Sequence, residues 1–274
     1  MPVTTAKIRE MKQRGQKIAM LTAYDYATAQ VIDAAGIPLI LVGDSLGMVV
    51  LGYDSTLPVT MEDMLHHTKA VTRGVKEALV IGDMPFMSYH ISTEQALANA
   101  ARFMQEAGAK AVKLEGGVTV AEKVKRITAC GIPVMGHIGL TPQSVHQLGG
   151  HKIQGKSREA AQRLIEDAIA LEQAGAFSIV LETVPAALAA LISSRLTIPT
   201  IGIGAGAGCD GQVQVVSDLL GSFTDFVPKH TRQYARLSDV MSTAFRQYIR
   251  EVQDGAFPTD EQSFAMDESL LEGL

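Results

Sequence analysis

Eight short apolar runs, each followed by a turn and then by residues with helical spacing, most constrain the fold of this chain. The runs are nearly all apolar rather than alternating with polar residues, which is typical of strands in a parallel sheet covered on both faces. We predict strands at residues 18–23, 39–42, 79–81, 111–114, 133–137, 178–181, 200–203 and 225–227. Eight strand–helix units in 274 residues predict an α/β fold, a (β/α)8 barrel.

The spacing of apolar residues predicts helices at residues 61–75, 93–106, 158–174 and 212–220. A doubly wound sheet would also alternate strands with helices, but it usually has fewer strands and a glycine-rich turn after the first one. The sequence TAYDY at residues 22–26 offers no such turn. Because no linker divides the chain, we predict a single barrel domain over residues 1–274, with a helical N-terminal extension and a C-terminal tail at about residues 255–274.

Charge and cysteine content exclude several classes of function. The net charge of −5, from 24 basic and 29 acidic residues without a long basic run, provides no surface for nucleic acid or an anionic membrane. Cys130 and Cys209 do not form a CxxC pair, which favours a reducing compartment. No segment approaches the ~20 apolar residues of a membrane-spanning helix. We therefore predict a cytoplasmic protein that acts on small molecules.

Three acidic residues each close a different apolar run. Asp44 ends LILVGD, Asp83 ends LVIGD and Glu115 ends AVKLE. A carboxylate at the end of a buried strand costs several kcal/mol to dehydrate unless a partner or a metal ion takes its charge. Oxygen ligands without a cluster of Cys or His favour Mg²⁺ or Mn²⁺ over zinc. The three acids therefore predict a divalent-metal site, with helix capping or a pairing to lysine as the alternative for any one of them.

Further polar side chains lie at the predicted carboxyl ends of the strands, where the active sites of such barrels are found. Lys113 lies two residues before Glu115, so both point to the same side of the strand; Lys113 can bind a substrate carboxylate or pair with the acids. Glu182 is a candidate general base, or a helix-capping residue. His137 can contact substrate or be a buried core residue. The same rule selects Asp25, Ser45 and Lys229.

A glycine-rich stretch, GIGAGAGCDG at residues 202–211, follows the seventh predicted strand. It contains a GxGxxG match at Gly206, Gly208 and Gly211. Alone, this match is weak support for a dinucleotide-binding module. In a barrel such a loop can cradle an anion or admit a ligand to the backbone, and a tight turn that needs glycine is the alternative.

Several strings in this order resemble the ketopantoate (3-methyl-2-oxobutanoate) hydroxymethyltransferase family over about residues 22–258: TAYDY, LVGDSLGM, DSTLPVT, DMPFMSY, AVKLEGG, GHIGLTPQSV and GIGAGAG. The resemblance implies a (β/α)8 TIM barrel of the phosphoenolpyruvate/pyruvate domain type. It also implies Mg²⁺-dependent transfer of a hydroxymethyl group from 5,10-methylenetetrahydrofolate to 3-methyl-2-oxobutanoate, a 2-oxoacid, on the route to pantothenate. A metal-dependent lyase or mutase of the same barrel type is the rival interpretation.

The resemblance assigns roles to residues chosen above. It implies that Asp44, Asp83 and Glu115 bind the metal ion, and that Asp44, Ser45, Asp83 and Lys113 bind the substrate. It places the proton acceptor on Glu182, and His137 is a possible secondary site residue. It also implies a large homo-oligomer, often of ten subunits.

Overall fold

The computed structural model describes residues 2–274, in which eight parallel strands close into a barrel. Each strand pairs with its neighbours along the chain, and the last pairs with the first. The strands are β1 (Ile18–Thr22), β2 (Leu39–Val42), β3 (Leu79–Asp83), β4 (Ala111–Glu115), β5 (Val134–Gly139), β6 (Ser178–Glu182), β7 (Thr200–Ile203) and β8 (Gly211–Gln214). The predicted barrel is confirmed.

Helices follow most of the strands, close to the predicted positions. They are α1 (Thr5–Gln13), α2 (Tyr26–Ala34), α3 (Leu46–Val49), α4 (Met61–Gly74), α5 (Thr93–Gln105), α6 (Ala121–Ala129), α7 (Val145–Leu148), α8 (Arg158–Gln173), α9 (Ala186–Arg195), α10 (Val216–Leu220) and α11 (Leu237–Gln253). Capping explains several starts: in α4, Thr60 and Asp63 form a reciprocal capping box. Within residues 2–274, no helix has the length and apolar character needed to cross a membrane.

Two apolar clusters fill the molecule, one inside the barrel and one between the barrel and the helices. Side chains alternate between them along each strand, as the two-residue period of a strand requires. The inner cluster includes Ile18, Met20, Leu39, Leu41, Leu79, Ile81, Ala111, Met135, Val180 and Val213. Helix α1 adds Ile8 and Met11 to this cluster. The barrel interior is therefore a packed core, so the polar side chains at its carboxyl end rest on an apolar floor.

The prediction of the eighth strand is wrong. Residues 225–227 form no strand, and Phe226 is 65% exposed. The strand that closes the barrel is β8, in the first half of the segment for which a helix is predicted; only α10 at its end is helical. The glycine-rich stretch therefore joins two strands and not a strand to a helix. Gly211, the last glycine of the GxGxxG match, lies within β8, so the geometry of a dinucleotide-binding turn is absent here.

Gly211 is required at the junction between β8 and β1. A Cβ atom at this position would overlap the carbonyl oxygen of Ile18 and would also lie 2.6 Å from Ile201 Cδ1. Contacts with backbone atoms cannot be relieved by a change of rotamer. We expect Gly211→Ala to lower the free energy of unfolding by about 1–3 kcal/mol, as overpacked substitutions do, measured by urea denaturation.

Gln212→Ala is the matched control, because the neighbouring side chain in the same strand is exposed and its loss should change stability by about 0.5 kcal/mol or less. Equal stability of Gly211→Ala and the wild-type protein would contradict the close approach of β8 to β1.

Candidate active site

The register of the strands brings polar side chains to one level at the carboxyl end of the barrel. Asp83 is aligned with Lys113, and Glu115 with His137, while Glu182 ends β6 two residues after the inward-facing Val180. Each of these polar residues continues the inward-facing series of its strand, above the apolar side chains that fill the barrel. Inward-facing polar residues from neighbouring strands therefore lie close together at this end of the barrel.

Lys113 is the positive centre of this cluster. Its Nζ atom lies 2.8 Å from Oδ1 and 3.0 Å from Oδ2 of Asp83, and 3.7 Å from Oε1 of Glu115. All three side chains are at most 5% exposed. Burial would lower the pKa of Lys113, but the surrounding carboxylates raise it above its usual value, so the lysine stays charged. Both readings of Lys113, a salt bridge and a site for substrate charge, remain compatible with this position.

Asp44 lies beside Asp83 just beyond β2. The backbone N–H of Asp44 donates to Oδ2 of Asp83 at 3.1 Å, which places the two carboxylates in neighbouring positions. Burial, and then the charge of Asp83, raise the pKa of Asp44 well above its usual value. Burial also raises the pKa of Asp83, although Lys113 opposes this shift. An added cation would favour the ionised form of both acids.

Ser45 follows Asp44 and is half-buried. Its Oγ atom lies 2.8 Å from the hydroxyl of Tyr24, whose backbone carbonyl in turn lies 2.6 Å from Nδ1 of His67. This series of contacts connects α4 to the end of β2. It holds the Ser45 hydroxyl at the rim of the site, where a hydroxyl can donate a hydrogen bond to an anion.

Two residues outside the strands complete the cluster. Gln143, in the loop after β5, donates from Nε2 to Oδ2 of Asp44 at 2.8 Å and from its backbone N–H to Oε2 of Glu115 at 3.0 Å. Tyr89, in the loop after β3, donates its hydroxyl to Oε1 of Gln143 at 2.7 Å. Gln143 is 4% exposed and Tyr89 is fully buried. Neutral groups as well as Lys113 therefore make hydrogen bonds to the acids.

His137 connects the acidic cluster to Glu182. Its Nδ1 atom lies 3.4 Å from Oε1 of Glu115, and its Nε2 atom lies 3.2 Å from Oε2 of Glu182. These are ion-pair distances without the alignment of good hydrogen bonds. Burial and the charge of Lys113 would lower the pKa of His137, but the two carboxylates raise it to about 9. The two carboxylates thus favour the imidazolium form of His137.

The donor chemistry of the site suits a hard divalent cation. Asp44, Asp83 and Glu115 supply only oxygen atoms, and Oε1 of Glu115 is buried without a hydrogen-bond donor. Among residues 2–274, no three Asp, Glu, His or Cys side chains form a ready-made cage for a metal ion. Mg²⁺ commonly keeps several waters and takes one or two carboxylates directly, so a complete protein cage is not required. The residues present fit an ion that retains part of its water shell.

Other residues selected from the sequence lie elsewhere or have another role. Asp25 caps α2: its carboxylate accepts from the backbone N–H and the hydroxyl of Thr28, both at 2.8 Å. The placement of Lys229 at a strand end is wrong, because it lies on an exposed turn after α10.

Sequence reasoning missed Tyr89, Gln143 and His230. The ring of His230 lies beside Gly204, where a Cβ atom on Gly204 would be 3.2 Å from its Nδ1. The carboxylate of Glu182 raises the pKa of His230, but burial has the larger effect and lowers it overall. A search extended a few residues beyond each strand end would have found Tyr89 and Gln143.

The sequence matches the family model described as ketopantoate hydroxymethyltransferase over residues 2–260. A relative from Dehalococcoides mccartyi, named 3-methyl-2-oxobutanoate hydroxymethyltransferase, is 69% identical over 274 residues, which cover 100% of this chain and 97% of the relative. Another relative of that name, from Syntrophus aciditrophicus, is 63% identical over 262 residues, with 96% of each chain covered.

Solved structures of more distant proteins share the barrel. A phosphonopyruvate hydrolase in complex with oxalate and Mg²⁺ superposes with a TM-score of 0.62 at 14% identity, covering 98% of this chain and 94% of the hydrolase. A 2,3-dimethylmalate lyase of the PEP mutase/isocitrate lyase superfamily gives a TM-score of 0.59 at 15% identity, covering 99% and 94%. These likenesses show a common fold. The match to the family model and the identity to full-length relatives show that this chain belongs to the ketopantoate hydroxymethyltransferase family.

Proposed function

We propose that this protein transfers a hydroxymethyl group from 5,10-methylenetetrahydrofolate to 3-methyl-2-oxobutanoate. The product is 2-dehydropantoate (ketopantoate), a precursor for pantothenate biosynthesis. The name of the relatives supports the acceptor and the reaction class. The folate donor and the pathway come from the family resemblance of the sequence motifs. We propose that Glu182 is the catalytic base. The substrate would be bound by Asp44, Ser45, Asp83 and Lys113, and the metal ion by Asp44, Asp83 and Glu115.

The observation that carries the proposal is a continuous line of contacts from Lys113 through Glu115 and His137 to Glu182. The first three side chains are at most 5% exposed, whereas the side chain of Glu182 is 17% exposed. A fixed positive charge thus lies at one end of the line, and a reachable carboxylate lies at the other. Such an arrangement suits removal of a proton from a substrate whose charge is held a few ångströms away.

Lys113 and Ser45 are suited to bind the acidic end of the substrate. A 2-oxoacid carries a carboxylate and an adjacent keto oxygen, and the second oxygen gains negative charge when the acid enolises. The buried ammonium of Lys113 attracts both groups in a region that excludes water, where such attraction is stronger than in bulk solvent. The half-buried hydroxyl of Ser45 can donate a hydrogen bond to the same oxygens.

We propose that Asp44, Asp83 and Glu115 hold Mg²⁺, directly or through water. When bound, the ion would polarise the keto group and stabilise the negative charge of the enolate. The solved hydrolase of the same fold contains Mg²⁺ and oxalate, which agrees with a divalent ion in this type of barrel. Burial raises the pKa of Asp44 and Asp83, and a bound cation would favour the ionised forms of both acids.

Glu182 acts as the base in this proposal. Its carboxylate accepts the proton from C3 of the oxoacid, and the electron pair of the C–H bond moves into the enolate. C3 forms a C–C bond to the methylene carbon that folate delivers as an iminium. Water supplies the hydroxyl oxygen of the product, the bond between the methylene carbon and the folate nitrogen breaks, and tetrahydrofolate leaves with that nitrogen protonated, while Glu182 returns the proton that it took from C3. His137, 3.2 Å from Glu182, orients the carboxylate and offsets its charge before the proton arrives.

Proton exchange tests this function directly. In D₂O with Mg²⁺, we expect the protein to exchange the C3 proton of 3-methyl-2-oxobutanoate and, after addition of 5,10-methylenetetrahydrofolate, to form the hydroxymethyl product, both followed by proton NMR. Glu182→Gln should slow exchange by about 10²–10⁴-fold, the contribution typical of a general base. Glu166→Gln on the exposed face of α8 is the matched control and should exchange at the wild-type rate.

The outcomes separate the competing functions. Exchange without product would favour the lyase or mutase interpretation, since such enzymes use the same enolate. Absence of exchange in the wild-type protein would contradict the proposal. Full exchange in Glu182→Gln would show that Glu182 is not the general base. A chelator should abolish exchange if the metal proposal is right.

The protonation of His137 gives a pH-dependent prediction. Because its pKa is raised from 6.5 to about 9, the folded protein binds a proton that the unfolded chain releases. This contribution to stability is fully present below pH 6.5 and is lost as the pH rises through 9. In NMR spectra of histidine-labelled, metal-free protein, we expect a signal that titrates near pH 9 and disappears in His137→Gln. A midpoint at or below 6.5 would contradict the charged state of His137.

Assembly and location stay predictions. The family resemblance implies a homo-oligomer, often a decamer, and the chain carries exposed apolar side chains on α11 that agree with association: Val240, Met241, Phe245, Tyr248, Ile249 and Val252. We propose a cytoplasmic location, which the cysteine usage of the sequence favours.

A further inference from the structure

We propose that Gln143, oriented by Tyr89, is a positioning residue that sets the spacing of Asp44 and Glu115 for a divalent cation. The proposal rests on the metal site of the proposed function, and it assigns a role to two residues that lie outside the strands. Gln143 contacts both acids, from its side chain to Asp44 and from its backbone to Glu115.

The direction of each hydrogen bond in this network is fixed by its partners. The Nε2 atom of Gln143 faces Oδ2 of Asp44 and the backbone carbonyl of Met84, at 2.8 and 2.9 Å, and neither group has a proton to donate when the acid is ionised. The amide must therefore present its NH₂ group to them. Its Oε1 atom is then left to accept from the hydroxyl of Tyr89. An amide supplies two donors at one end and an acceptor at the other without adding charge.

Tyr89 determines which way the amide of Gln143 is turned. The backbone N–H of Glu115 donates to the hydroxyl of Tyr89 at 3.1 Å, so this hydroxyl must use its own proton toward Gln143. Glu115 is thus held twice, at its backbone through Tyr89 and at its carboxylate through the N–H of Gln143. The bond to Gln143 occupies Oε2 of Glu115, and Oε1 is left without a donor.

Gln143 holds Asp44, an acid to which Lys113 makes no hydrogen bond. Lys113 donates to Asp83 and approaches Glu115, whereas the side chain of Asp44 is held by the neutral amide of Gln143. Asp44 and Glu115 carry like charges in a buried site, where repulsion separates groups that are not tethered. Without the amide, the carboxylate of Asp44 would lose the hydrogen bond that holds it and would be free to turn away, which removes an oxygen from the set offered to a cation. Gln143 therefore contributes to cation affinity although it need not touch the ion.

Binding of Mn²⁺ to the substrate-free protein tests this role without reference to activity. Free Mn²⁺ is counted by its electron paramagnetic resonance signal during a titration. We expect Gln143→Met, which keeps the length of the side chain and removes the amide, to weaken Mn²⁺ binding by about 10–100-fold, the range found when partners of metal ligands are replaced. Tyr89→Phe, which removes a single oxygen, should also weaken binding, by a smaller factor.

Gln212→Met is the matched control. The Nε2 atom of Gln212 donates a hydrogen bond to the carbonyl oxygen of Gly206 at 2.9 Å and not to any of the three acids, so this variant should bind Mn²⁺ as tightly as the wild-type protein. Circular dichroism and thermal melting establish that each variant is folded. In steady-state assays, the Mg²⁺ concentration for half-activation should rise in Gln143→Met, while kcat at saturating Mg²⁺ recovers most of its wild-type value.

The results distinguish this inference from the function on which it rests. Wild-type binding together with weaker binding by Gln143→Met and Tyr89→Phe supports the positioning role. Wild-type affinity in both folded variants would overturn it and leave the metal site intact. Failure of the wild-type protein to bind Mn²⁺ would refute the metal site itself, and the positioning role with it.

Discussion

The candidate site depends on one buried ammonium group among three buried carboxylates. Each charge would cost several kcal/mol to bury alone, and the acids would protonate rather than remain charged. Lys113 donates hydrogen bonds to both carboxylate oxygens of Asp83 and lies close to Glu115, so its positive charge attracts both acids. Burial still raises the pKa of Asp44 and Asp83, so the charge of Lys113 compensates for the burial of these acids only in part.

The barrel makes this cluster possible because its strands are aligned in register. Below the charges, inward-facing side chains such as Ile81, Ala111 and Met135 exclude water, and α1 adds Ile8 and Met11 to the same core. The apolar floor strengthens every interaction between the charges above it. Loops carry the remaining parts: Tyr89 after β3 and Gln143 after β5 supply neutral donors and acceptors that orient the acids. Strands thus provide most of the charged groups, and loops provide the neutral groups that contact them.

The prediction of site residues at the carboxyl ends of strands succeeded where the two-residue period of side chains and the pattern of apolar residues indicated the same strand. Lys113 and Glu115, two residues apart, point into the barrel together, as their spacing predicts. The rule failed at β8, which has one inward apolar side chain, Val213, between two glutamines and begins with a glycine fixed by contact with β1. Residues 225–227 are more apolar but lie exposed, since burial depends on closure of the barrel and not on local composition.

The parts of the site that escaped prediction are those defined by three-dimensional contacts alone. Asp25 is a different case: it follows a strand like the other acids but caps α2 through Thr28, a local contact three residues further along the chain. Tyr89 and Gln143 are 54 residues apart, and no spacing in the sequence indicates that their side chains meet. Loop geometry determines such contacts, whereas periodicity determines which strand residues face inward.

A double-mutant cycle on Lys113 and Asp83 tests the central claim most directly. The free energy of unfolding of the metal-free protein would be measured in urea for Lys113→Met, Asp83→Asn and the combined variant. Removing one partner of a buried ion pair typically costs about 3–5 kcal/mol, because the other charge is left unpaired. We expect the combined variant to lose no more stability than Lys113→Met alone. Losses that simply add would show that the two charges do not depend on each other, and would contradict the account.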